Sequence, residues 1–246
     1  MSVLSYICDY GSDSEDTDRE PEAKRSKTKL PGPRLEGVRT IKGDVHVDDP
    51  ELHKGRTRSF PHERGNWATF VYVKYPEDST LLKYIAKIET AAASVAPIER
   101  IEDVHVSLSR TVVLKYHMIA SFNSTLKSAL DSIQSFDLEL DSIKVYCNED
   151  KSRTFVALKV DHFSNKFLLQ IMKQVDQTLR EYNLPEFYED PSFHASILWT
   201  NGNKQEELTE ALKHLQNLRN NITLEPVFVD KIYCKIGNKQ YQYLLD

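Results

Sequence analysis

The sequence predicts an α+β protein with two similar lobes, in which two antiparallel sheets face a central groove and helices lie outside. Three observations support this prediction. Strand-like and helix-like segments alternate from Phe60 to the end of the chain. Each half contains one short strand-like segment with the same H-x-S pattern. The polar turns at 148–153 and 237–238 are short, which is typical of antiparallel neighbours rather than parallel crossovers.

The elements of the first half follow from local patterns. Aromatic and β-branched residues at 67–74 predict a strand. Asp78 or Ser79 can cap a helix. Alternation at 104–109 predicts a second strand, and 116–133 has helical spacing. The apolar face of the first helix is predicted to contain Leu81, Leu82, Ile85, Ile88 and Ala92.

The second half repeats this arrangement of strands and helices. A strongly amphipathic helix is predicted over 164–182. Its apolar face is predicted to contain Phe167, Leu168, Ile171, Val175 and Leu179. The other predicted elements are strands at 136–146, 154–160 and 193–199, a helix at 206–218, and strands at 222–236 and 240–244.

The chain divides into a tail, residues 1–57, and a globular domain, residues 58–246. The tail is acidic and serine-rich at 11–22 and has almost no aromatic residues after Tyr10. Such a segment cannot bury enough apolar surface to offset its ordering entropy, so we predict that it is disordered. A short basic cluster follows the acidic stretch, which fits either a nuclear import signal or a solvated tail. The cluster consists of Lys24, Arg25, Lys27 and Lys29.

Composition excludes several classes of protein. No run of about eighteen apolar residues occurs, so we expect no membrane span. The three cysteines, Cys8, Cys147 and Cys234, are far apart and form neither a metal-ligand spacing nor a disulfide framework. A net charge of −5 argues against nucleic-acid binding by the whole surface, although a local groove could still hold a chain end.

The two motifs are H-V-S-L at 105–108 and H-A-S-I at 194–197. Residues i and i+2 of a strand point to the same face. Each imidazole therefore lies beside a hydroxyl, His105 beside Ser107 and His194 beside Ser196, while the apolar residues face the core. Two such strands across a groove would place the imidazoles on opposite sides of one phosphate.

Paired imidazoles suit RNA cleavage by the neighbouring 2′-hydroxyl. That reaction needs a base for the hydroxyl proton and an acid for the leaving 5′-oxygen, and histidine can fill either role near neutral pH. The serine hydroxyls can hold the non-bridging phosphate oxygens. A single H-x-S has little value, because a lone strand histidine is more often structural. Two matching motifs in two matching halves favour the catalytic interpretation.

The chain resembles the U6 small nuclear RNA phosphodiesterase family, a branch of the two-histidine (2H) phosphoesterase superfamily with paired H-x-[ST]-x motifs in a bilobed pseudosymmetric fold. The likeness covers about residues 58–246, the whole predicted domain. It is carried by S-F-P-H-E-R-G-N-W-A at 59–68, H-V-S-L-S-R-T-V-V-L-K-Y-H at 105–117, K-S-R-T-F at 151–155, F-Y-E-D-P-S-F-H-A-S-I-L-W at 187–199 and C-K-I-G-N-K at 234–239.

The resemblance implies a metal-independent 3′-to-5′ exoribonuclease that trims the uridine-rich end of U6 snRNA and leaves a 2′,3′-cyclic phosphate or a 3′-phosphate. It further implies catalytic roles for His105 and His194, and phosphate binding by Ser107 and Ser196. For the terminal nucleotide it implies contacts from Tyr188, with Ser192 beside the second motif and Glu149 in the turn against the base. We expect no cofactor and no metal, a monomer, the RNA 3′ end as partner, and a nuclear location.

Other functions remain open from the sequence. A different 2H activity, such as 2′,3′-cyclic nucleotide phosphodiesterase or RNA ligase-like activity, would use the same site. A non-catalytic RNA-binding protein would be expected to lose motif residues, whereas both motifs are intact here. A metal-dependent nuclease would need clustered acidic or histidine ligands, which the sequence does not indicate. Arg110, just after the first motif, could approach phosphate or form a surface ion pair. We interpret His62 as part of a structural turn.

Overall fold

The computed structural model describes Phe60 and residues 63–216 and 222–246. The predicted disordered tail and His62 lie outside these residues. The strands are β1 (Asn66–Lys74), β2 (Glu99–Arg100), β3 (His105–Ser107), β4 (Val112–Lys115), β5 (Phe136–Leu138), β6 (Leu140–Cys147), β7 (Arg153–Val160), β8 (His194–Asn201), β9 (Val227–Val229), β10 (Lys231–Ile236) and β11 (Lys239–Leu244). The helices are α1 (Ser79–Ala92), α2 (Ile119–Leu130), α3 (His162–Glu181) and α4 (Gln205–Ala211), with 3-10 turns at Tyr116–Met118 and Lys213–Leu215.

The prediction of two separate facing sheets is wrong, although the antiparallel pairing and the mixed α+β class are confirmed. One nine-stranded sheet runs in the order β11-β10-β1-β3-β8-β7-β6, with β4 also on β1 and β2 also on β8. The two motif strands join its halves by antiparallel pairing of Val106 with Ala195. This pairing gives hydrogen-bond partners to two strand edges that separate sheets would have left open. We call β1, β3, β4, β10 and β11 the first lobe, and β2, β6, β7 and β8 the second lobe.

The sheet has one apolar face and one polar face. Alternate residues of the central strands, including Val71, Val106, Ala195 and Leu158, are almost completely buried. This face packs against helices: α1 contacts β8, α2 contacts β11, and α4 contacts β6 and β7. The intervening residues point to the opposite side, which we call the open face. In the described part of the chain, these helix contacts lie on the apolar face and leave the open face for a ligand.

Capping fixes where the two main helices begin. Asp78 accepts a hydrogen bond from the backbone N–H of Leu81 at 2.7 Å and starts α1. Asp161 accepts hydrogen bonds from Phe163 and Ser164 and starts α3. Four of the five residues predicted for the apolar face of α1 are buried, but Leu82 is 39% exposed. In α3, Phe167 is 42% exposed and stacks on Phe136 with 5.1 Å between ring centroids, at the margin of the core.

Several predicted segments divide in the structure. The strand predicted at 136–146 is two strands, because β5 leaves the main sheet and pairs with β9. The pattern at 222–236 likewise separates into β9 and β10. Strands β2 and β4 are additional to the predicted elements, and the helix predicted at 206–218 ends as α4 at Ala211, followed by a 3-10 turn.

The predicted turn at 237–238 is confirmed, and its geometry explains why residue 237 is a glycine. Gly237 has a φ of +57°, in the left-handed region that favours glycine. A Cβ atom at this position would lie 2.5 Å from the ring of Trp67. The turn is therefore restricted by both its backbone conformation and its packing.

Within the described part of the chain, no helix is long and apolar enough to cross a membrane.

Candidate active site

The sheet register brings the two predicted motifs together on the open face. Val106 pairs with Ala195 in an antiparallel arrangement, so His105 lies opposite Ser196 and Ser107 lies opposite His194. Directly opposed residues have Cβ atoms about 4.5–5.5 Å apart. Each histidine is thus beside the serine of its own motif and across from the serine of the other. We call these four residues the histidine–serine cluster.

Both imidazoles are held by the same backbone contact. Nδ1 of His105 lies 2.7 Å from the carbonyl oxygen of Asp103, and Nδ1 of His194 lies 2.6 Å from that of Ser192. A carbonyl oxygen only accepts hydrogen bonds, so Nδ1 of each ring carries a proton and donates. Nε2 remains as the nitrogen that can exchange a proton with a ligand. The loop conformation before each strand therefore sets the orientation of both rings.

The surroundings of the two rings differ. Tyr146 stacks face to face on His194, with ring centroids 4.0 Å apart and planes 18° apart. Tyr72 meets His105 edge-on at 5.2 Å. The Tyr146 hydroxyl lies 2.8 Å from Oγ of Ser192, the residue whose carbonyl holds His194. One tyrosine therefore contacts both the ring of His194 and the segment that orients it.

Burial lowers the pKa of the His194 imidazole from its ordinary 6.5. The hydrogen bond to the Ser192 carbonyl opposes this change, and electrostatic interactions with Lys144 and His105 add to it. The stacked Tyr146 ring contributes to the burial by covering one face of the imidazole. The neutral form of His194 is therefore favoured before a ligand binds.

A lysine lies on the neighbouring strand opposite each histidine. Lys74 of β1 pairs with His105, and Lys159 of β7 pairs with His194. Both lysines share the open face with the histidines, because directly opposed residues of a sheet point the same way. The cluster therefore has a cation on each side along the sheet, which favours binding of an anionic phosphodiester.

Tyr188, a predicted base-binding residue, is 45% exposed and contacts Arg110. The guanidinium carbon of Arg110 lies 4.0 Å from the centroid of the Tyr188 ring. The same guanidinium forms an ion pair with Glu149 at 3.3 Å. Arg110 therefore links two residues that the sequence analysis assigned separately to the substrate. Its position two residues after the first motif was a signal, but the sequence did not distinguish a phosphate contact from an ion pair.

Ser192 lies between the cluster and a polar cavity. Besides its contacts with Tyr146 and His194, it lines a cavity of about 310 Å³ that also includes Lys159, His162 and Asp190. The cavity adjoins His194, because Lys159 is the cross-strand neighbour of that histidine. Sequence reasoning missed Tyr146, whose alternation with Lys144 on β6 was the available signal.

Comparison with known proteins gives a consistent result. The HVSL family model, described as an uncharacterised conserved protein, matches residues 30–243, and the chain has this tetrapeptide at 105–108. The chain is 36% identical to U6 snRNA phosphodiesterase 1 of Drosophila melanogaster, with 100% of both chains covered. It is 38% identical to U6 snRNA phosphodiesterase 1 of Homo sapiens, over 78% of this chain and 74% of the human one.

Solved structures support the fold. The structure of Kluyveromyces marxianus Usb1 with uridine monophosphate superimposes with a TM-score of 0.59, at 14% identity, over 72% of this chain and 98% of that one. Another structure of Kluyveromyces marxianus Usb1 gives a TM-score of 0.57 at 15% identity, again over 72% and 98%. The family model and the relatives each cover most of the chain, and the same sequence carries both motifs intact. The chain belongs to the U6 snRNA phosphodiesterase 1 family.

Proposed function

We propose that this protein is a 3′-to-5′ exoribonuclease that trims the 3′ oligouridine end of U6 snRNA without a metal ion. The observation that carries the proposal is the histidine–serine cluster, in which two imidazoles, each with its Nδ1 held by a backbone carbonyl, lie on one face with two hydroxyls. The proposed identity of the RNA substrate rests on the names of the relatives, each of which is a U6 snRNA phosphodiesterase 1.

The reaction needs two proton transfers and one phosphorus centre. The 2′-oxygen of the penultimate nucleotide attacks phosphorus, and the bond from phosphorus to the 5′-oxygen of the terminal nucleotide breaks. One Nε2 accepts the 2′-hydroxyl proton, and the other histidine donates a proton to the leaving oxygen. The products are a released nucleoside and a chain that ends in a 2′,3′-cyclic phosphate. If water then opens this ring, the chain ends in a 3′-phosphate.

The position of Tyr188 supports an assignment of the two roles. Ser107 and His194 lie opposite each other at one end of the cluster. Arg110 follows Ser107 in the chain and Tyr188 precedes His194, so the contact between Arg110 and Tyr188 lies beyond that end. A terminal base stacked on Tyr188 would place the leaving nucleotide beside His194. His194 would then be the acid for the leaving oxygen, and His105 the base for the 2′-hydroxyl. The phosphate of the bound RNA is an anion, so it would raise the pKa of His194 and favour the protonated imidazole that an acid needs.

Ser107 and Ser196 would hold the two non-bridging oxygens. They occupy the opposite corners of the cluster, each between the two imidazoles. Fixed hydroxyl donors stabilise the charge that grows on these oxygens in the transition state. Lys74 and Lys159 would add a longer-range positive potential on both sides.

A time course on a 5′-labelled oligouridylate in EDTA tests the proposal. We expect stepwise shortening from the 3′ end, and mass spectrometry of the products should find cyclic phosphate or 3′-phosphate ends. The control RNA has a 2′-deoxy penultimate nucleotide and should resist removal of its last nucleotide, because the attacking group is missing. Cleavage that needs added metal, or that proceeds on the control RNA, would overturn the mechanism.

We also propose a nuclear location, since the RNA named for the relatives is a small nuclear RNA. The basic cluster at 24–29, outside the described residues, is the candidate import signal. Fluorescent fusions of the full chain, with and without alanines at its four basic positions, test this. Equal nuclear signal from the two fusions would refute the role of the cluster.

A further inference from the structure

A second cavity opens on the first lobe, away from Tyr188. Its volume is about 260 Å³, and its lining includes Lys74, Pro76, Phe228, Asp230, Lys231 and Tyr233. Three parts of the chain form it: the end of β1, strand β9 and the start of β10. Of these lining residues, only Lys74 has a role in the proposed reaction, where it adds positive potential beside His105.

The sheet register connects this cavity to the histidine–serine cluster. Lys74, in its wall, lies opposite His105 on the neighbouring strand. Tyr233, also in its wall, lies opposite Tyr72, two strands from the motif. The cavity is therefore next to His105, whereas Tyr188 lies beyond the other end of the cluster. A strand of RNA that crosses the cluster from Tyr188 would continue toward it.

Aromatic rings form a path from His105 to the cavity. The ring centroids of His105 and Tyr72 are 5.2 Å apart, and those of Tyr72 and Tyr233 are 5.7 Å apart and stacked. Phe228 lines the same cavity as Tyr233 and is 63% exposed, so its ring is accessible to a ligand. Exposed aromatic rings beside lysines are the usual means of binding single-stranded RNA without sequence preference.

The charges distinguish this cavity from the one beside His194. The first-lobe cavity contains two lysines and one aspartate, with Lys231 and Asp230 3.3 Å apart. The second-lobe cavity contains two lysines with three aspartates, Asp141, Asp161 and Asp190. The phosphate backbone of a longer RNA is therefore better accommodated on the first lobe.

We propose that Phe228, Lys231 and Tyr233 form an upstream platform for the RNA. The platform binds the third nucleotide counted from the 3′ end and the nucleotides on its 5′ side. This inference rests on the proposed exonuclease function and extends it to the body of the substrate. The platform binds by stacking and by backbone charge, so it holds the RNA whatever its sequence. It gives longer RNAs an advantage over a dinucleotide, because a dinucleotide ends at the cluster.

The test compares a dinucleotide, UpU, with an eight-nucleotide oligouridylate. For the double variant Phe228→Ala with Lys231→Ala, we expect kcat/KM on the longer RNA to fall by about tenfold or more, since stacking is worth ~1–3 kcal/mol per base. The same variant should cleave UpU like the wild type. Loss of the Lys231 cation, which would contact the RNA phosphate backbone, should also reduce the slope of log KM against log salt concentration by about 0.7.

Controls separate the platform from general effects. Lys127→Ala with Phe163→Ala removes an exposed lysine and an exposed aromatic ring from helices α2 and α3, and should leave both substrates unaffected. Phe228→Trp keeps a stacking surface and should retain most of the length preference. The platform is refuted if the double variant slows both substrates equally or neither. Failure of the wild type to cleave either RNA would instead refute the proposed function.

Discussion

The two lobes hold their histidines with the same backbone geometry but surround them with different side chains. In each lobe Nδ1 donates to the carbonyl two residues earlier, and a lysine lies opposite on the next strand. The difference is aromatic: Tyr146 lies flat on His194 at 4.0 Å, whereas Tyr72 and Phe70 lie 5.2 Å and 5.6 Å from His105 in edge-on and tilted arrangements. The second lobe therefore covers its imidazole and the first lobe leaves its imidazole more open.

This contrast indicates which parts of the site the fold fixes and which parts individual side chains adjust. The sheet register alone places both imidazoles and both hydroxyls, so their arrangement is nearly symmetric. The neighbouring side chains then make the surroundings of the two motifs different. The second lobe has Tyr188, which contacts Arg110 from the segment between β3 and β4, and a lowered His194 pKa. The first lobe has the exposed Phe228 and an open cavity.

The largest expected effect is the loss of either imidazole. His105→Ala and His194→Ala should each reduce kcat about 10²–10⁴-fold, since each positioned acid or base contributes that much. The double variant should be little worse than the more damaged single one, because the two groups act in one step. Single-turnover cleavage of a labelled oligouridylate measures all three.

His117→Ala is the matched control, since His117 is exposed and lies in the 3-10 turn before α2. It should cleave at the wild-type rate. All of the histidine variants should unfold within a few degrees of the wild type, because the imidazoles face the open side rather than the core. A large drop in Tm for the cluster variants, or comparable activity loss in the control, would contradict the placement.

A substrate with sulfur in place of the leaving 5′-oxygen can break the apparent symmetry of the histidines. A thiolate leaves without needing a proton, so the acid becomes dispensable while the base does not. We expect the sulfur substrate to restore His194→Ala by about 10²-fold or more and His105→Ala hardly at all, consistent with the ~10²–10⁴-fold contribution of an acid. The reverse pattern of rescue would exchange the two roles, and rescue of neither variant would rule out a proton-donating histidine.

Variants of Tyr188 test whether the second lobe binds the 3′-terminal nucleotide of the RNA. Tyr188→Ala should raise KM about tenfold for an RNA ending in uridine, within the ~1–3 kcal/mol range of base stacking. Tyr188→Phe keeps the ring and should behave nearly like the wild type. The chemical step, measured at saturating RNA, should change much less than KM. A variant that loses kcat with unchanged KM would show that this tyrosine has another role.

The sequence carries strong signals for the cluster and weak ones for its surroundings. Period-two alternation and a repeated motif suffice to put His105 beside Ser107 and His194 beside Ser196. The pairing of Val106 with Ala195 could not be predicted, because strand partners far apart in sequence are chosen by the packing of the whole domain. For the same reason the sequence predicted two sheets where one forms.

Short elements and side-chain contacts between loops were harder still. Strand β2 has two residues, too few to show a period. The contacts of Arg110 join a turn, a loop and the segment after a strand, and no local pattern encodes such a meeting. Tyr146 was within a correctly predicted strand region, but its stacking on His194 crosses strands. Local pattern therefore predicts which residues share a face, and tertiary packing determines which of them touch.

The smallest expected effect concerns the lowered pKa of His194, and it tests the origin of the difference between the lobes directly. Burial favours neutral imidazole, so the NMR titration midpoint of His194 should lie below 6.5 in the free protein. Tyr146→Ala admits water to the ring face, and the midpoint should move up toward 6.5. Tyr146→Phe preserves the stacked ring and loses only the hydroxyl contact with Ser192, so it should move the midpoint less. If the two variants shift the midpoint equally, the hydroxyl contact rather than the stacked ring controls His194, and the aromatic difference between the lobes is not its cause.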